Sequence, residues 1–463
     1  MRQIILIITK FQEMKKLFLS LIAVVVPLLT FAEGYQINTL SAKQGGMAHT
    51  GVALKLGAES MFFNPAGMGY MDKTLDFSAS MNGVMPTAKA KVDGKWYETD
   101  NKVSTPMMVS AAFSVYDNFK AGITLYTPYG SSINWGDNWP GAVLNQKVSL
   151  ATFTIQPTLA WRITPKLSVG AGLMISWGNV DLYKGLVVPQ TMDMMLGALG
   201  NQYTFGNTTP ASVNLTGTAN LALGVNVGAM YDISEQWTVG VNFRSKMSMK
   251  VKKGDAEILY ANEVAENVLG QQLNVLNTAN FSAEMPMPAV LTFGVSYKPM
   301  SSLILAFDAQ MTGWNTYKEL SIDFLDDKLV DYNQNLTKKY KNAWAFRLGA
   351  QYALTKRMDI RAGFIVDFTP VNENHYNPET PGMTKLEPSV GFSFRPIDNL
   401  SIDFSMMYVA GLGKDGAKCT YDDLLAKTIN TMMPGANLPL ERTFKADYRV
   451  NAYVPSIGLS YSF

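Results

Sequence analysis

From Leu75 to the end of the chain, apolar and polar residues alternate with a period of two in one segment after another. In residues 400–408, for example, every even position is apolar and three of the four odd positions are Ser or Asp. This period is the pattern of a β-strand with two different faces. The segments are separated in strict alternation by long connections and by six short turns, which lie at Asp117, Pro165, Glu235, Ser301, Lys356 and Asp398. A soluble sandwich shares the period, but the alternation of short turns with long loops is typical of an outer-membrane barrel.

The six short turns join twelve strands in pairs, and one further strand at each end makes fourteen. We predict that these strands start near residues 75, 105, 120, 148, 167, 215, 237, 288, 302, 338, 358, 387, 400 and 447. A closed sheet pairs every backbone amide within the protein, as lipid requires. Residues 75–463 are therefore predicted to form an all-β, 14-stranded antiparallel transmembrane β-barrel with polar residues lining the lumen. In the last strand, apolar residues change sides between Val454 and Ile457, which predicts a bulge at Pro455.

The first 32 residues have the order of a secretory signal peptide. Lys15 and Lys16 precede an apolar run that ends at Ala32. We expect Met14 to be the natural start, residues 1–13 to be an upstream extension, and cleavage to follow Ala32. A membrane anchor is the alternative, but the run is short for a helix that crosses a bilayer. Export combined with a barrel predicts the outer membrane of a Gram-negative bacterium.

Composition excludes several other classes of protein. The 39 basic and 37 acidic residues nearly balance, so no nucleic-acid partner is expected. One cysteine excludes an internal disulfide, and with only two histidines a Cys/His zinc site is not expected. We predict neither a cofactor nor a metal.

Residues 33–74 differ from the rest because they do not alternate and contain seven glycines. Glycine permits close backbone approach, so this segment is predicted to fold inside the lumen as a hatch. A periplasmic linker is the alternative, but a linker would not need the apolar run 61–63.

Three motifs in this segment carry a family resemblance: Gly34 to Asn38, Gly45 to Gly51, and the four residues Asn64, Pro65, Ala66 and Gly67. Together with residues 340–344 and 361–371, they resemble the long-chain fatty acid transporters of the FadL/TodX type. The resemblance implies a plugged 14-stranded barrel that carries fatty acids or aromatic hydrocarbons by passive, ligand-gated diffusion, with a lateral exit into the bilayer. It also implies that Tyr35 reaches into the ligand pocket as the family's N-terminal aromatic residue does.

Two long loops contain short amphipathic patterns. The first has Met192, Met195, Leu196 and Leu199 on one helical face, and the second includes Val268 and Leu269. By resemblance these loops form a hydrophobic groove for first capture, and flexible methionine suits varied acyl chains. The alternative is that the two faces only pack against protein. A third pattern begins at Leu425, and no role is predicted for it.

Lysines in the lumen are candidates for binding a ligand carboxylate. Lys341 shares parity with Arg347, is predicted to point inward, and matches the family's ligand-binding lysine. Lys184 matches more loosely the family's arginine with the same role, and a lumen salt bridge, for example to Asp367, is an alternative for both. Four further cations are predicted to line one strand inward and to serve lumen networks: Arg244, Lys246, Lys250 and Lys252.

We therefore predict a transporter of long-chain fatty acids or similar hydrophobic molecules, with a porin for small or aromatic compounds as the alternative. Catalysis is not expected, because neither His49 nor His375 lies on a predicted barrel strand beside a serine. The expected partners are the ligand, outer-membrane lipid and lipopolysaccharide, and the barrel-assembly machinery, which would recognise the C-terminal strand that ends in Phe463. We expect a monomer.

Overall fold

The computed structural model describes residues 34–432, 435 and 437–463. The predicted signal peptide and its upstream extension lie outside the described residues. The strand segments are, in chain order, β1 (Leu75–Asn82), β2 (Met85–Val92), β3 (Lys95–Glu98), β4 (Met107–Tyr116), β5 (Phe119–Tyr126), β6 (Gly130–Asn134), β7 (Lys147–Arg162), β8 (Leu167–Gly185), β9 (Ala211–Asp232), β10 (Trp237–Arg244), β11 (Met247–Tyr260), β12 (Asn280–Met287), β13 (Val290–Met300), β14 (Leu303–Thr312), β15 (Glu319–Phe324), β16 (Gln334–Thr337), β17 (Ala343–Thr355), β18 (Met358–Asp367), β19 (Lys385–Ile397), β20 (Leu400–Gly411), β21 (Lys414–Asp422) and β22 (Glu441–Ser462).

These segments form a closed 14-stranded antiparallel barrel, which confirms the predicted fold. Six barrel strands consist of two consecutive segments each, namely β1–β2, β5–β6, β10–β11, β12–β13, β14–β15 and β20–β21. Eight are single segments, and β3 and β16 are short hairpin partners of β2 and β15. The barrel closes where β22 pairs with β20 on one side and with β1 on the other. Five predicted starts, at residues 75, 167, 237, 358 and 400, coincide with the observed ones.

Several strands are much longer than a membrane requires. β9 and β22 each contain 22 residues, whereas about 9–11 residues cross the bilayer. Because the turns at the other end are short, the extra length extends the wall beyond the membrane on the side of the long loops. The last strand therefore begins at Glu441, six residues before its predicted start.

The bulge predicted at Pro455 is wrong. Pro455 pairs with Met406 in the same register as the residues on either side of it, and the pairing of β22 with β1 and β2 also keeps one register. Tyr448 and Val454 therefore share parity with Ser456 and face the lumen, where both are buried. The apolar residues do not change sides; the lumen itself is apolar in its outer half, and this corrects the prediction of a uniformly polar interior.

The predicted inward row of cations is broken between β10 and β11. Phe243 faces outward, but Met247 and Met249 beyond the break are buried in the lumen. The face of the strand that points inward thus reverses, and the predicted inward positions of Lys246, Lys250 and Lys252 are wrong, because all three are exposed. Arg244, before the break, keeps its predicted inward position and lies 4.5 Å from the ring centroid of Phe62 in the lumen.

The helices are short and lie in the N-terminal segment and the long loops. They are α1 (Ala42–Gly45), α2 (Ser60–Phe63), α3 (Pro189–Ala198), α4 (Glu263–Leu273) and α5 (Leu424–Met432). Short 3-10 helices occupy Gly57–Glu59, Pro65–Tyr70, Asn274–Leu276, Trp314–Thr316, Asp327–Tyr332 and Glu373–His375. In the described part of the chain, no helix is both long and apolar enough to span a bilayer.

The segment before β1 lies inside the barrel and is bonded to its wall, which is consistent with a hatch. The backbone amide of Gly51 donates to Asp308 of β14 over 2.7 Å, and Asn226 of β9 donates to the carbonyl of Met61 over 2.9 Å. On the opposite wall, the amide of Ala48 donates to Ser389 of β19 over 3.0 Å. Because these bonds reach strands on different sides of the lumen, they hold the segment across it.

Asn64 explains why the segment carries an Asn-Pro motif. Its side-chain oxygen accepts the amide of Ala66 and caps a 3-10 helix, and proline suits the first position of that helix. Its side-chain nitrogen donates to the carbonyls of Val52 and Ala229, over 2.7 and 3.0 Å. The buried amide therefore links two parts of the hatch to the wall.

Candidate ligand-binding site

An apolar cavity lies in the lumen beyond the hatch. Its free volume is about 60 Å³, so a ligand larger than a few water molecules would have to displace the side chains around it. Its walls come from β7, β8, β9, β11, β12 and β15, and nearly all of its lining is hydrocarbon: Leu150, Val180, Leu182, Leu215, Ala219, Met249, Val251, Phe281, Ala283, Met285, Met287, Leu320 and Ile322. Such a surface cannot bond to water and favours an apolar ligand.

Tyr35, the residue predicted to reach into the ligand pocket, lines one end of this cavity. Its hydroxyl donates to the carbonyl of Pro286. Its ring lies edge-on to Trp314 and Tyr317, with centroids 4.9 and 5.7 Å apart, and Tyr317 in turn packs against Tyr340. The hatch therefore contributes to the pocket wall, so a displacement of its first residues would change the shape of the cavity.

The inward orientation predicted for Lys341 is wrong. Strand β17 begins only at Ala343, and Lys341 lies in the preceding loop with an exposed side chain. Lys338, three residues earlier, is the lysine that is completely buried. Its ammonium forms an ion pair with the buried carboxylate of Glu379 and lies 6.0 Å from the ring centroid of Tyr317. A buried lysine thus stands beside the aromatic end of the cavity.

Glu379 belongs to a loop segment that closes the cavity toward the outside. A smaller cavity adjoins the apolar cavity, and we call it the annexe. The two share six lining residues, and Glu379 and Thr380 line the annexe alone. The hydroxyls of Thr380 and Tyr340 lie 2.8 Å apart, and the indole of Trp135 donates to the carbonyl of Pro378 over 2.9 Å. We call residues 376–384 the lid, because they separate the cavity from the loops outside.

A second, more polar cavity lies on the outer side of the lid. Its free volume is about 150 Å³, and its lining includes Lys184, Gln334, Asn377 of the lid and Tyr421. Lys184 is buried and donates to the side-chain oxygen of Gln334 over 2.5 Å. Lys184 thus faces this outer cavity and not the lipid. Lys184 therefore bonds to Gln334 and not to Asp367, the salt-bridge partner considered for either lysine.

Burial lowers the pKa of Lys184 to about 8, and the carboxylate of Glu379 partly opposes this effect. Lys184 stands 17 residues beyond the start of β8 at its short turn, so it lies outside the part of the strand that crosses the membrane. Its ammonium is thus easily neutralised and would gain from an anionic neighbour.

The predicted capture helices form, but their apolar faces are used unequally. Met192 and Leu196 of α3 are buried, Met195 is half-buried, and Leu199 is 62% exposed. In α4, Leu269 is buried and Val268 is half-buried. None of these side chains lines the apolar cavity.

Helix α3 packs on α5, the helix for which no role was predicted. Thr191 at the start of α3 donates to Asp423 beside α5 over 2.6 Å, and Arg442 bonds to both residues. Buried Leu425 and Ile429 form the inner face of α5. Met192 and Leu196 therefore pack against protein, which was the alternative to a role in capture. Of the four residues in the α3 pattern, only Met195 and Leu199 remain available to capture a ligand.

Sequence reasoning missed Lys338 and Glu379, an ion pair of which Glu379 borders the annexe of the apolar cavity. The signal for Lys338 was weak, since it lies in a run of three charged residues in four, and nothing local distinguishes it from Lys339 and Lys341. It also missed the glycines of the wall that face the hatch. Gly228 and Gly240 belong to this group, since a β-carbon on either would meet a hatch atom at 2.0 or 2.2 Å.

Comparison with known proteins places this fold among outer-membrane transporters. The family model described as outer membrane protein transport protein (OMPP1/FadL/TodX) matches residues 23–463. Outer membrane protein P1 of Haemophilus influenzae is 24% identical over 97% of this chain and all of its own length. The long-chain fatty acid transport protein of Escherichia coli O6:H1 is 23% identical over 85% of this chain and 91% of its own.

Solved structures agree in fold. A FadL homologue of Pseudomonas aeruginosa superimposes with a TM-score of 0.76 at 18% identity, covering 93% of this chain and 100% of the other. The toluene transporter TodX of Pseudomonas putida gives a TM-score of 0.66 at 14% identity, covering 92% and 99%. At these identities the two structures support the barrel architecture and no particular ligand.

Proposed function

This chain belongs to the OMPP1/FadL/TodX family of outer membrane proteins, which transport hydrophobic compounds, and from this premise we propose that it takes up long-chain fatty acids. The observation that carries the proposal is the buried ammonium of Lys338, whose partner Glu379 borders the annexe of the apolar cavity. An acyl chain matches the hydrocarbon lining, and a carboxylate matches a lysine in a site with little water. The family consists of transport proteins, in agreement with the expectation that this chain is not an enzyme.

We propose that transport is passive and follows the cavities from outside to inside. The ligand meets the loops near Met195 and Leu199, passes Lys184 in the outer cavity, and enters the apolar cavity beside Tyr35. The last step offers the most apolar contact, so no energy source is needed to draw the ligand inward. Ligand binding opens the route, because the lid and the hatch close the two ends of the apolar cavity.

The exit is lateral, through a break in the barrel wall between β4 and the β5–β6 strand. In the described chain, no backbone hydrogen bond joins residues 101–106 to residues 128–133. The hatch covers this break from inside, since the amide of Gly130 donates to the carbonyl of Tyr35 and the amide of Ile37 donates to that of Pro128, both over 2.9 Å. Movement of these first hatch residues would expose the break to the ligand in the cavity.

A second candidate function is a channel for small or aromatic compounds. The observation in its favour is the ring cluster at the cavity end, in which Tyr35, Trp314, Tyr317 and Tyr340 pack edge to face. A flat ring could join such a cluster. This candidate requires no lysine, whereas fatty acid uptake uses one.

We further propose that lipopolysaccharide contacts Lys246, just before β11, and Lys250 and Lys252 within it, which we call the outward lysines of β11. Lys246, Lys250 and Lys252 follow directly beyond Phe243, the last outward aromatic residue of β10, where the apolar surface gives way to headgroups. Glu284 pairs with Lys250 over 3.0 Å, and no described carboxylate lies within ion-pair distance of Lys246 or Lys252. Phosphate groups of lipid A would form ion pairs with these lysines. We also expect assembly through β22 and a monomeric protein.

Uptake into liposomes tests the main proposal. The reconstituted protein should admit oleate, and Lys338→Met should reduce oleate uptake about tenfold or more, the equivalent of about 1.5–3 kcal/mol for a bond to a charged group. Lys341→Met is the matched control, since it removes the same charge from an exposed position three residues away, and should leave uptake unchanged. The channel for aromatic compounds would be favoured if toluene uptake exceeded oleate uptake and was the same in both variants as in the wild type.

A further inference from the structure

The ion pair between Lys338 and Glu379 lies at the annexe of the apolar cavity. Lys338 is fully buried and Glu379 is 5% exposed, so the pair is shielded from water on nearly all sides. Glu379 also borders the annexe of the apolar cavity. The protein thus places its own carboxylate at the end of an apolar pocket, in contact with a buried lysine.

The carboxylate is attached to the segment that would have to move. Glu379 lies in the centre of the lid, with Asn377 lining the outer cavity on one side and Thr380 lining the annexe on the other. A ligand that passes from the outer to the inner cavity must displace this segment. Because a buried lysine without a partner is costly, opening the lid is unfavourable unless another anion replaces Glu379.

We propose that Glu379 is an internal substitute for the ligand carboxylate, so that Lys338 is a carboxylate-exchange site and Glu379 makes lid opening selective for acids. This inference rests on the proposed uptake of fatty acids. The carboxylate of the ligand replaces Glu379 in the ion pair with Lys338, and the side chain of Glu379 turns toward the outer cavity and water. An alcohol or a hydrocarbon of equal length offers no anion, and the lid stays closed.

The connection between β18 and β19 contains a matched pair of glutamates for a test, Glu379 in the lid and Glu373 before it. Glu373, in the same connection between β18 and β19, also pairs with a lysine, Lys414, over 2.5 Å, but its side chain is 65% exposed. Glu379→Gln removes the internal anion with almost no change in size, and Glu373→Gln removes an exposed anion. Binding of oleate and of oleyl alcohol to the purified, detergent-solubilised protein gives four affinities to compare with those of the wild type.

We expect Glu379→Gln to bind oleate about tenfold more tightly or better, because the ligand carboxylate no longer competes with Glu379 for Lys338. The affinity for oleyl alcohol should rise much less, so the preference for the acid increases. Glu373→Gln should change neither affinity. Equal gains for acid and alcohol would mean that the pair only holds the lid shut, and this would overturn the exchange proposal.

The fluorescence of Trp135 provides a second measurement on the unaltered chain. Its indole donates to the carbonyl of Pro378, the residue before Glu379, so release of the lid should expose it to water. Oleate should shift the emission to the red and oleyl alcohol should not, with Trp135→Phe as the control for the other seven tryptophans. Binding of oleate without this shift overturns the exchange proposal alone. Failure of oleate to bind any variant overturns it together with the proposed transport function.

Discussion

A β-carbon on Gly228 would lie 2.0 Å from the side-chain oxygen of Asn64, so the hatch and strand β9 meet at a point where the wall has no side chain. The amide of Asn64 uses this proximity to donate to the carbonyl of Ala229. The closure of the lumen therefore depends on a pair of residues that are 164 positions apart in sequence, neither of which needs to contact a ligand.

Gly228→Val should displace the hatch, because the added side chain overlaps Asn64. We expect single-channel conductance in planar bilayers to rise above that of the wild type. Gly197→Ala is the control, since a β-carbon there meets no atom within 4 Å. Removing residues 33–74 should raise conductance further, and unchanged conductance after this deletion would show that the segment does not block the lumen.

The buried and exposed members of the α3 pattern should behave differently. Met192→Ser with Leu196→Ser removes two buried side chains, each of which contributes about 1.5–3 kcal/mol, and should make the loop sensitive to proteolysis. Met195→Ser with Leu199→Ser should leave the loop protected and slow oleate uptake at low concentration, because weaker capture matters only below saturation. Slower uptake from the buried pair alone, with the loop intact, would contradict this division of roles.

The strand pattern was readable from the sequence because lipid demands outward apolar residues in regular alternation. Which face points inward was not readable in the outer half of the barrel, where the lumen is apolar too. Val454 and Met249 are buried inside, yet they look the same in sequence as residues that face lipid. The alternation of residues also predicts side-chain orientation only within a strand, and not beyond its ends. Lys341 was assigned inward by extending the parity of β17 into a loop that does not alternate.

The ion pair of Lys338 with Glu379 could not be predicted for a different reason. The two residues are 41 positions apart and lie in different connections, and neither sits in a local pattern that requires a partner. Their contact is a product of how the lid folds into the barrel mouth. The hatch motif at Asn64 is different, because its interaction is local. Asn64 caps the 3-10 helix by accepting the amide of Ala66, two residues later.

Charge at Lys184 should make acid binding depend on pH. Burial lowers the pKa of Lys184 to about 8 in the empty protein, and a neighbouring carboxylate would raise it. The ammonium is therefore present below pH 8, and its contribution to binding is lost as the pH rises above that value. We expect the affinity for oleate to fall between pH 7 and pH 9.5 and the affinity for oleyl alcohol to stay constant. Lys184→Met should bind oleate with equal affinity at both values, and a wild-type profile in this variant would assign the titration to another group.

The outward lysines of β11 should determine how much lipopolysaccharide remains with the purified protein. Lys246, Lys250 and Lys252 are exposed beside Leu221 and Leu223, which are 69% and 65% exposed, so phosphate and acyl chain find adjacent partners. Replacing the three lysines by Gln should reduce the lipid A phosphate that co-purifies, and the reduction should be greatest in low salt, where charge interactions are least screened. The control replaces Lys166, Lys298 and Lys356, three exposed lysines at the short-turn end of the barrel, with the same loss of charge at the opposite membrane surface. An equal loss of lipid from both triple variants would mean that net charge alone retains it, whereas a loss confined to the β11 variant would locate the contact on this strand.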